Sequence, residues 1–229
     1  MIALARLPFA RLARTPRAWV PIAGWVALAF VAAGVAHRLG SADAASHVLV
    51  GPFGAIALPL FVYAIVSATL GGEGLTRASR SLVAFGASPA RAALAQVAVA
   101  VVASAVLGAL VASAVAALAH GSADPPVAGD AGTSAWIAAL GAAAYAALFC
   151  FGSTFGARGA GRTVALVLDW ALGAGGSAVA LVTPRGHVRN LMGGAAPLEL
   201  GQRASSAWLA SLTVVFILLA LARSRRARA

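Results

Sequence analysis

The chain has 229 residues, of which 61% are hydrophobic and 10% charged, and its mean hydropathy is +0.91. Soluble domains carry about a quarter charged residues, so this composition excludes an ordinary water-soluble globule and points to a membrane protein. The formal net charge of +11 comes from arginine, with no lysine at all; the arginines lie in short loops and tails beside apolar runs, which fits membrane topology and not a nucleic-acid surface.

Taken in chain order, the first element is the basic leader IALARLPFARLA, which places arginines on one side and Ile2, Phe9 and Leu12 on another, with Leu7 and Pro8 interrupting the pattern. It predicts a helix lying along the inner membrane surface, held by its apolar side and by anionic lipid. Thr15-Pro16 then reads as an N-cap followed by proline at the first helical position. Six apolar spans follow at 18–36, 48–70, 92–119, 135–157, 163–183 and 206–222, each near the roughly 20 residues that cross hydrocarbon as a helix. The third, the longest, is expected to tilt or to project beyond the bilayer. Gly34-Val35-Ala36 resembles a signal cleavage site, but the apolar core before it exceeds the roughly 7–15 residues of a signal peptide, so an uncleaved span is expected.

Span two contains Pro52, which can open a helix, and Pro59, which is expected to kink it. Span five contains Gly173, Gly175 and Gly176, which weaken or interrupt it midway, and the stretch 184–205 after it predicts one or two short helices dipping back into the outer leaflet. Orientation follows from arginine. With the N-terminus inside, Arg6, Arg11, Arg14, Arg17, Arg77, Arg80, Arg91, Arg158, Arg162, Arg223, Arg225, Arg226 and Arg228 are cytoplasmic, against Arg38, Arg185, Arg189 and Arg203 outside. This satisfies the positive-inside rule. Asp124 and Asp130 fall outside, with Trp136 and Trp208 at outer span ends and Trp19 at an inner one. The expectation is an all-α membrane protein: one transmembrane domain over 1–229, six helices, both termini cytoplasmic.

Between spans two and three the chain reads EGLTRASRSLVAFGASPAR. At about 100° per residue, Glu73, Arg77, Arg80 and Ala84 share one face, and Leu75, Ala78, Leu82, Phe85 and Gly86 share the other. Glu73 precedes Arg77 by four residues, the favourable order for a helix-surface ion pair. Gly86 supplies a helix stop, and Ser88-Pro89, followed by Arg91, supplies a new cap and first turn. Helix, elbow, helix is the prediction, either resting on lipid headgroups or offering a charged face to a cytoplasmic protein.

This layout resembles the permease subunits of ATP-binding-cassette transporters, in particular the type-two exporter family with six spans per subunit. The resemblance rests on the Arg-rich leader, on Glu73 and the helix through Phe85, on the turn Gly86-Ala87-Ser88-Pro89-Ala90-Arg91, and on a stretch at 184–205 able to form re-entrant helices. It implies that the 73–91 segment is a coupling helix seated in a cleft of a separate ATPase subunit. Glu73, Arg77 and Arg80 would pair with that partner, while Leu75, Leu82 and Phe85 would hold the helix to the spans. It further implies a bacterial inner-membrane exporter formed by two permease subunits, identical or related. ATP and Mg would be bound by the partner and no cofactor by this chain. The low polarity of the spans departs from the family by leaving the transport path undefined.

Without lysine the chain has no G-x-x-x-x-G-K-[ST] phosphate loop, and with Cys150 alone it has no intrachain disulfide or thiolate metal cluster; no catalytic or metal site is expected. Asp169, about six residues into span five, is by default a functional candidate, whether as a structural partner of a neighbouring helix, paired with Arg162, or coupling ions in a secondary transporter or channel. A non-transporting scaffold that recruits a soluble protein is a third reading. Gly152 and Gly156 form G-x-x-x-G, and Ser104, Gly108 and Ala112 repeat small-residue spacing, both suited to close helix packing. His37, His47, His120 and His187 are expected as solvated loop residues. Gly86-Ala87-Ser88 resembles the serine motif of rhomboid proteases, but the serine falls at an elbow and no histidine lies in a span to activate it. The few polar groups of the spans (Tyr63, Ser67, Thr69, Gln96, Ser153, Thr154, Ser177) lean toward an amphipathic or lipid-like cargo.

Overall fold

The computed structural model describes residues 2–174 and 176–226; Gly175, Arg228 and the side chains of Ile2 and Arg226 lie outside the described residues. All regular elements within them are helical. Five helices are long and apolar enough to cross a membrane: Pro16–Arg38, Ala44–Thr69, Pro89–Ala119, Val127–Gly152 and Gln202–Arg225. That is the architecture of a multi-pass membrane protein.

The leader is helix α1 (Ile2–Arg14), with Pro8 inside it, and α2 (Pro16–Arg38) starts at the expected proline. Thr15 does not cap α2 through its side chain, since its hydroxyl donates back to the Arg11 carbonyl at 2.6 Å. The rod Ala44–Thr69 is built from α3 (Ala44–Val48), a π-helical stretch Leu49–Ala57 and α4 (Leu58–Thr69). Pro52 has no N–H, and its ring collides with the carbonyl four residues back in a normal turn; the wider π turns take it up. Pro59 accordingly opens α4 at its second residue. A Cβ on Gly54 would stand 2.6 Å from the Leu49 carbonyl oxygen and 2.8 Å from the Met192 sulfur, so this widened stretch requires glycine there.

Two short helices, α5 (Leu75–Ala78) and α6 (Arg80–Ala84), lead into the long α7 (Pro89–Ala119), which packs along α8 (Val127–Gly152). The seam is made by small residues. Ser104 and Ala112 are buried, and a Cβ on Gly108 between them would sit 3.0 Å from Ala142 Cβ and 3.1 Å from the Ala138 carbonyl. Where lipid gives helices no hydrophobic reason to associate, such close backbone approach supplies the van der Waals contact that does.

The expected fifth span is the main correction. Residues 163–183 do not form one helix: α9 (Gly161–Leu172) has 12 residues, about 18 Å at 1.5 Å per residue and well short of a 30 Å hydrocarbon core. The Gly173 amide closes α9 on the Asp169 carbonyl, and a 3₁₀ turn at Ala178–Val182 leads to α10 (Pro184–Leu191). Helix α10 is inserted between the long helices, because Val188 lies where a Cβ on Gly141, midway along α8, would be. The short helices expected in 184–205 are thus present as α10 and a turn at Pro197–Glu199, and α11 (Gln202–Arg226) completes the bundle against α8 and α7.

The chain's turns collect at two ends. At one, Arg162 Nη2 donates to the Gly72 carbonyl, the Leu75 amide donates to the Ser153 carbonyl, and the Arg223 guanidinium lies 3.9 Å from the Phe155 ring centroid. This end holds the arginines of the leader, of the 70–91 and 153–162 segments, and Arg223 and Arg225 at the end of α11. At the other end Asp124 is the clamp. Its carboxylate accepts the Ala45 amide at 2.9 Å, the Gly121 amide at 2.8 Å and the Ser46 hydroxyl at 3.4 Å, joining the start of α3 to the loop after α7.

Two outcomes follow from this packing. Gly108→Leu overfills the α7–α8 seam and lowers stability by about 1–3 kcal/mol, seen as a lower thermal midpoint in detergent, whereas Gly24→Ala, where nothing lies within 4 Å, leaves the midpoint unchanged. Partial burial alone would raise the Asp124 carboxyl, but its amide and hydroxyl donors outweigh it and hold it below its ordinary value of 3.8. A lowered folded value means stability that is present above the unfolded pKa and lost as pH falls through the folded one. Acidification below about pH 4 therefore lowers the wild-type midpoint more than that of Asp124→Asn.

Candidate functional site

The segment between α4 and α7 is an elbow at the arginine-rich end. The sequence expectation that a helix begins at Glu73 is corrected: Glu73 precedes the Gly74 cap of α5, yet it still pairs with Arg77 at 3.2 Å. Gly74 is pressed against the turn after α8, where a Cβ would stand 2.7 Å from the Ser153 carbonyl oxygen. The single helix expected over 73–86 is broken at Ser79. Its hydroxyl bonds back to the Leu75 carbonyl at 2.8 Å, a pattern that competes with helix continuation. The Ala78 carbonyl is meanwhile taken by Gln96 Nε2 at 3.2 Å, the Ser81 hydroxyl at 3.2 Å and Arg11 Nη1 at 3.5 Å.

The elbow is capped on both sides. Gly86 adopts φ +87°, and the Gly86→Val83 and Ala87→Leu82 amide bonds (2.9 and 3.2 Å) form a Schellman stop. Ser88 Oγ then accepts the Arg91 amide at 3.4 Å, with Pro89 opening α7. Ser88 is therefore a cap and not a nucleophile placed in a span. Leu75, Ala78 and Leu82 are buried, Leu82 against Ala92 and Ala95 of α7 with Leu4 and Leu7 of α1 beside it. Arg11 Nη2 donates to the Ser81 hydroxyl at 3.1 Å, fixing α1 to the same elbow.

Phe85 corrects the sequence expectation that it seats the helix against the spans: it is 85% exposed. Phe85 is the C-cap of α6 and leaves the helical conformation, whereas Leu75 and Leu82 lie within the helical turns and are buried. The outer face of the elbow thus carries Phe85 among exposed Arg77, Arg80 and Arg91, with Ser88 and Pro89. Among the described residues Arg80 and Arg91 have no ion-pair partner. An exposed aromatic and exposed arginines on one short segment have the composition of a protein-docking hot spot.

A second constellation surrounds Asp169, which is 1% exposed. It does not pair with Arg162. Instead, the Tyr145 hydroxyl of α8 donates to Oδ2 at 3.1 Å and the Arg185 amide, in the first turn of α10, donates to Oδ1 at 3.1 Å, while Arg185 Nη1 donates to the Trp170 carbonyl at 3.1 Å. The carboxylate supplies an acceptor to the free N–H groups of a helix start and ties three elements across the break in span five. It also lines a cavity of about 600 Å³ between α8, α9 and α11, walled by Phe151, Leu212 and Phe216.

The remaining candidates divide. Gly152 meets the start of α9, where a Cβ would lie 2.9 Å from the Gly161 carbonyl, but Gly156 has φ +73° in the following turn, so the pair is not one helix face. His187 is fully buried, not solvated: Nε2 donates to the Leu181 carbonyl at 2.9 Å and Nδ1 lies 3.2 Å from the Ser205 hydroxyl. No metal-ligand cluster occurs among the described residues. Tyr145 and Arg185 escaped the sequence reading; a lone phenol in an apolar span and a Thr-Pro helix start needing acceptors were the available signals.

No family model, curated protein or solved structure matches the chain.

The Asp169 junction is checked by a double-mutant cycle. Tyr145→Phe and Asp169→Leu each remove a partner from a buried polar group and lower stability by about 1–3 kcal/mol; because the two share one bond, the double variant falls by less than the sum of the singles.

Proposed function

We propose that this chain is the membrane-spanning permease subunit of an ATP-binding-cassette transporter, an exporter of the bacterial inner membrane, and that the 73–91 elbow is its coupling element. The observation that carries this reading is the elbow's outer face: a rigid, doubly capped turn presenting Phe85, Arg77, Arg80 and Arg91 to solvent. It lies at the end where arginine collects, which the positive-inside rule assigns to the cytoplasm. A partner ATPase binds there, with ATP and Mg on its own chain, and its closure pushes on α7 through the capped restart at Ser88-Pro89. Two permease subunits, identical or related, enclose the path. Phe85 belongs to the docking surface in this scheme, and Leu75 and Leu82 to the attachment.

Charge reversal of Arg77 and Arg80 together abolishes co-purification of a stoichiometric ATPase, and Phe85→Ala weakens it by about tenfold or more, the size of a hot-spot truncation. Both variants keep the wild-type thermal midpoint, since the altered side chains are exposed. An unchanged complex sinks the proposal.

Asp169 supports a second reading, an ion-coupled secondary transporter or channel, because it is a buried carboxylate lining a cavity. Proton-driven flux lost in Asp169→Asn, in a preparation free of ATPase, favours it; recruitment of a soluble protein without flux favours a scaffold.

A further inference from the structure

At the arginine-rich end, a groove of about 740 Å³ opens between the start of α2 and the end of α4. Arg11 and Arg17 line it where these helices meet the α1–α2 and α4–α5 turns, and Trp25, Leu60 and Ala64 line it deeper along the two helices. Its composition is graded, cationic at the rim and apolar below, over a distance of about 12 Å from Arg17 to Trp25 at 1.5 Å per residue.

Behind this groove lies a charge without a counter-charge. Arg162 is 6% exposed, and a guanidinium stays protonated at any relevant pH. Its Nη2 donates to the carbonyls of Gly72 (3.0 Å) and Arg158 (3.1 Å), but Nη1 has no hydrogen-bond partner, and no carboxylate among the described residues pairs with it. Its Cζ stands 5.9 Å from the Tyr63 ring centroid, and both Tyr63 and Gly72 line the groove. A buried charge that lacks an ion-pair partner is costly, and Arg17 and Arg11 add positive charge to the groove, Arg11 while donating to the Ala78 carbonyl and the Ser81 hydroxyl. An anion in the groove relieves all three.

We infer that this groove binds one acidic phospholipid, its phosphate against Arg11 and Arg17 in the field of Arg162, and its acyl chains along Trp25, Leu60 and Ala64. A lipid and not a free anion is the occupant because the deeper lining is apolar and sits at the depth of a span. A net-negative headgroup is selected over a zwitterionic one because Arg11 and Arg17 line the groove, the unpaired Arg162 charge lies behind it, and no carboxylate is among the lining residues. The site is distinct from the elbow face and stands whether or not an ATPase binds there.

The test is native mass spectrometry of the detergent-purified full chain, titrated with phosphatidylglycerol, with phosphatidylcholine of the same acyl chains, and with inorganic phosphate. The expected result is one phosphatidylglycerol bound about thirtyfold more tightly than phosphatidylcholine, in line with about 1 kcal/mol from each of two surface arginines, and no displacement by millimolar phosphate. Arg17→Gln, an exposed residue that makes no hydrogen bond in the structure, reduces that preference several-fold, and Arg11→Gln with Arg17→Gln removes it. Arg80→Gln with Arg91→Gln, of equal charge change outside the groove, leaves it intact. Equal binding of the two lipids, displacement by phosphate, or a preference untouched in Arg17→Gln overturns the inference.

Discussion

The carbonyl of Ala78 is where the arginine-rich end is joined. Three donors from three parts of the chain converge on it: Gln96 from α7, Arg11 from α1 and Ser81 from the elbow itself. Gln96 is fully buried, and in a chain whose spans offer few polar groups its amide commits to this acceptor. The bond locks the elbow to the helix it leads into.

The long helices can act as levers only if they are stiff, and the α7–α8 seam supplies that. Ser104, Gly108 and Ala112 bring the two backbones close enough that a single added carbon meets its neighbour at 3.0 Å. Opposite this rigid pair, the stretch from α9 to α10 is broken and held by polar bonds, with Asp169 bridging Tyr145 and the first turn of α10. A bundle with one stiff half and one hydrogen-bonded, interrupted half has a natural place to yield, since such bonds are exchanged more readily than a close-packed seam.

Local chemistry was legible in the sequence and tertiary chemistry was not. Gly86 and Ser88-Pro89 were readable because a left-handed stop and a proline-led start are set by the residues themselves. The five long apolar helices were readable from length and hydropathy, and the glycines of span five marked its interruption. Phe85 was misplaced because the helix phase was carried through the residue that ends α6, where the backbone is no longer helical. Asp169 was legible as a group needing a partner, with Arg162 or a neighbouring helix as candidates, but which helix supplied it was not; Tyr145 and Arg185 reach it through packing. His187 seemed a loop residue until α10 proved to be folded into the bundle.

The proposed docking of a motor requires the elbow to face the cytosol. The direct measurement is thiol labelling of a Phe85→Cys variant with a membrane-impermeant reagent, since the native Cys150 is buried and silent. Labelling in inverted membrane vesicles, none in intact cells, and protection when the ATPase is bound are the predicted results. Labelling from outside intact cells would contradict the account.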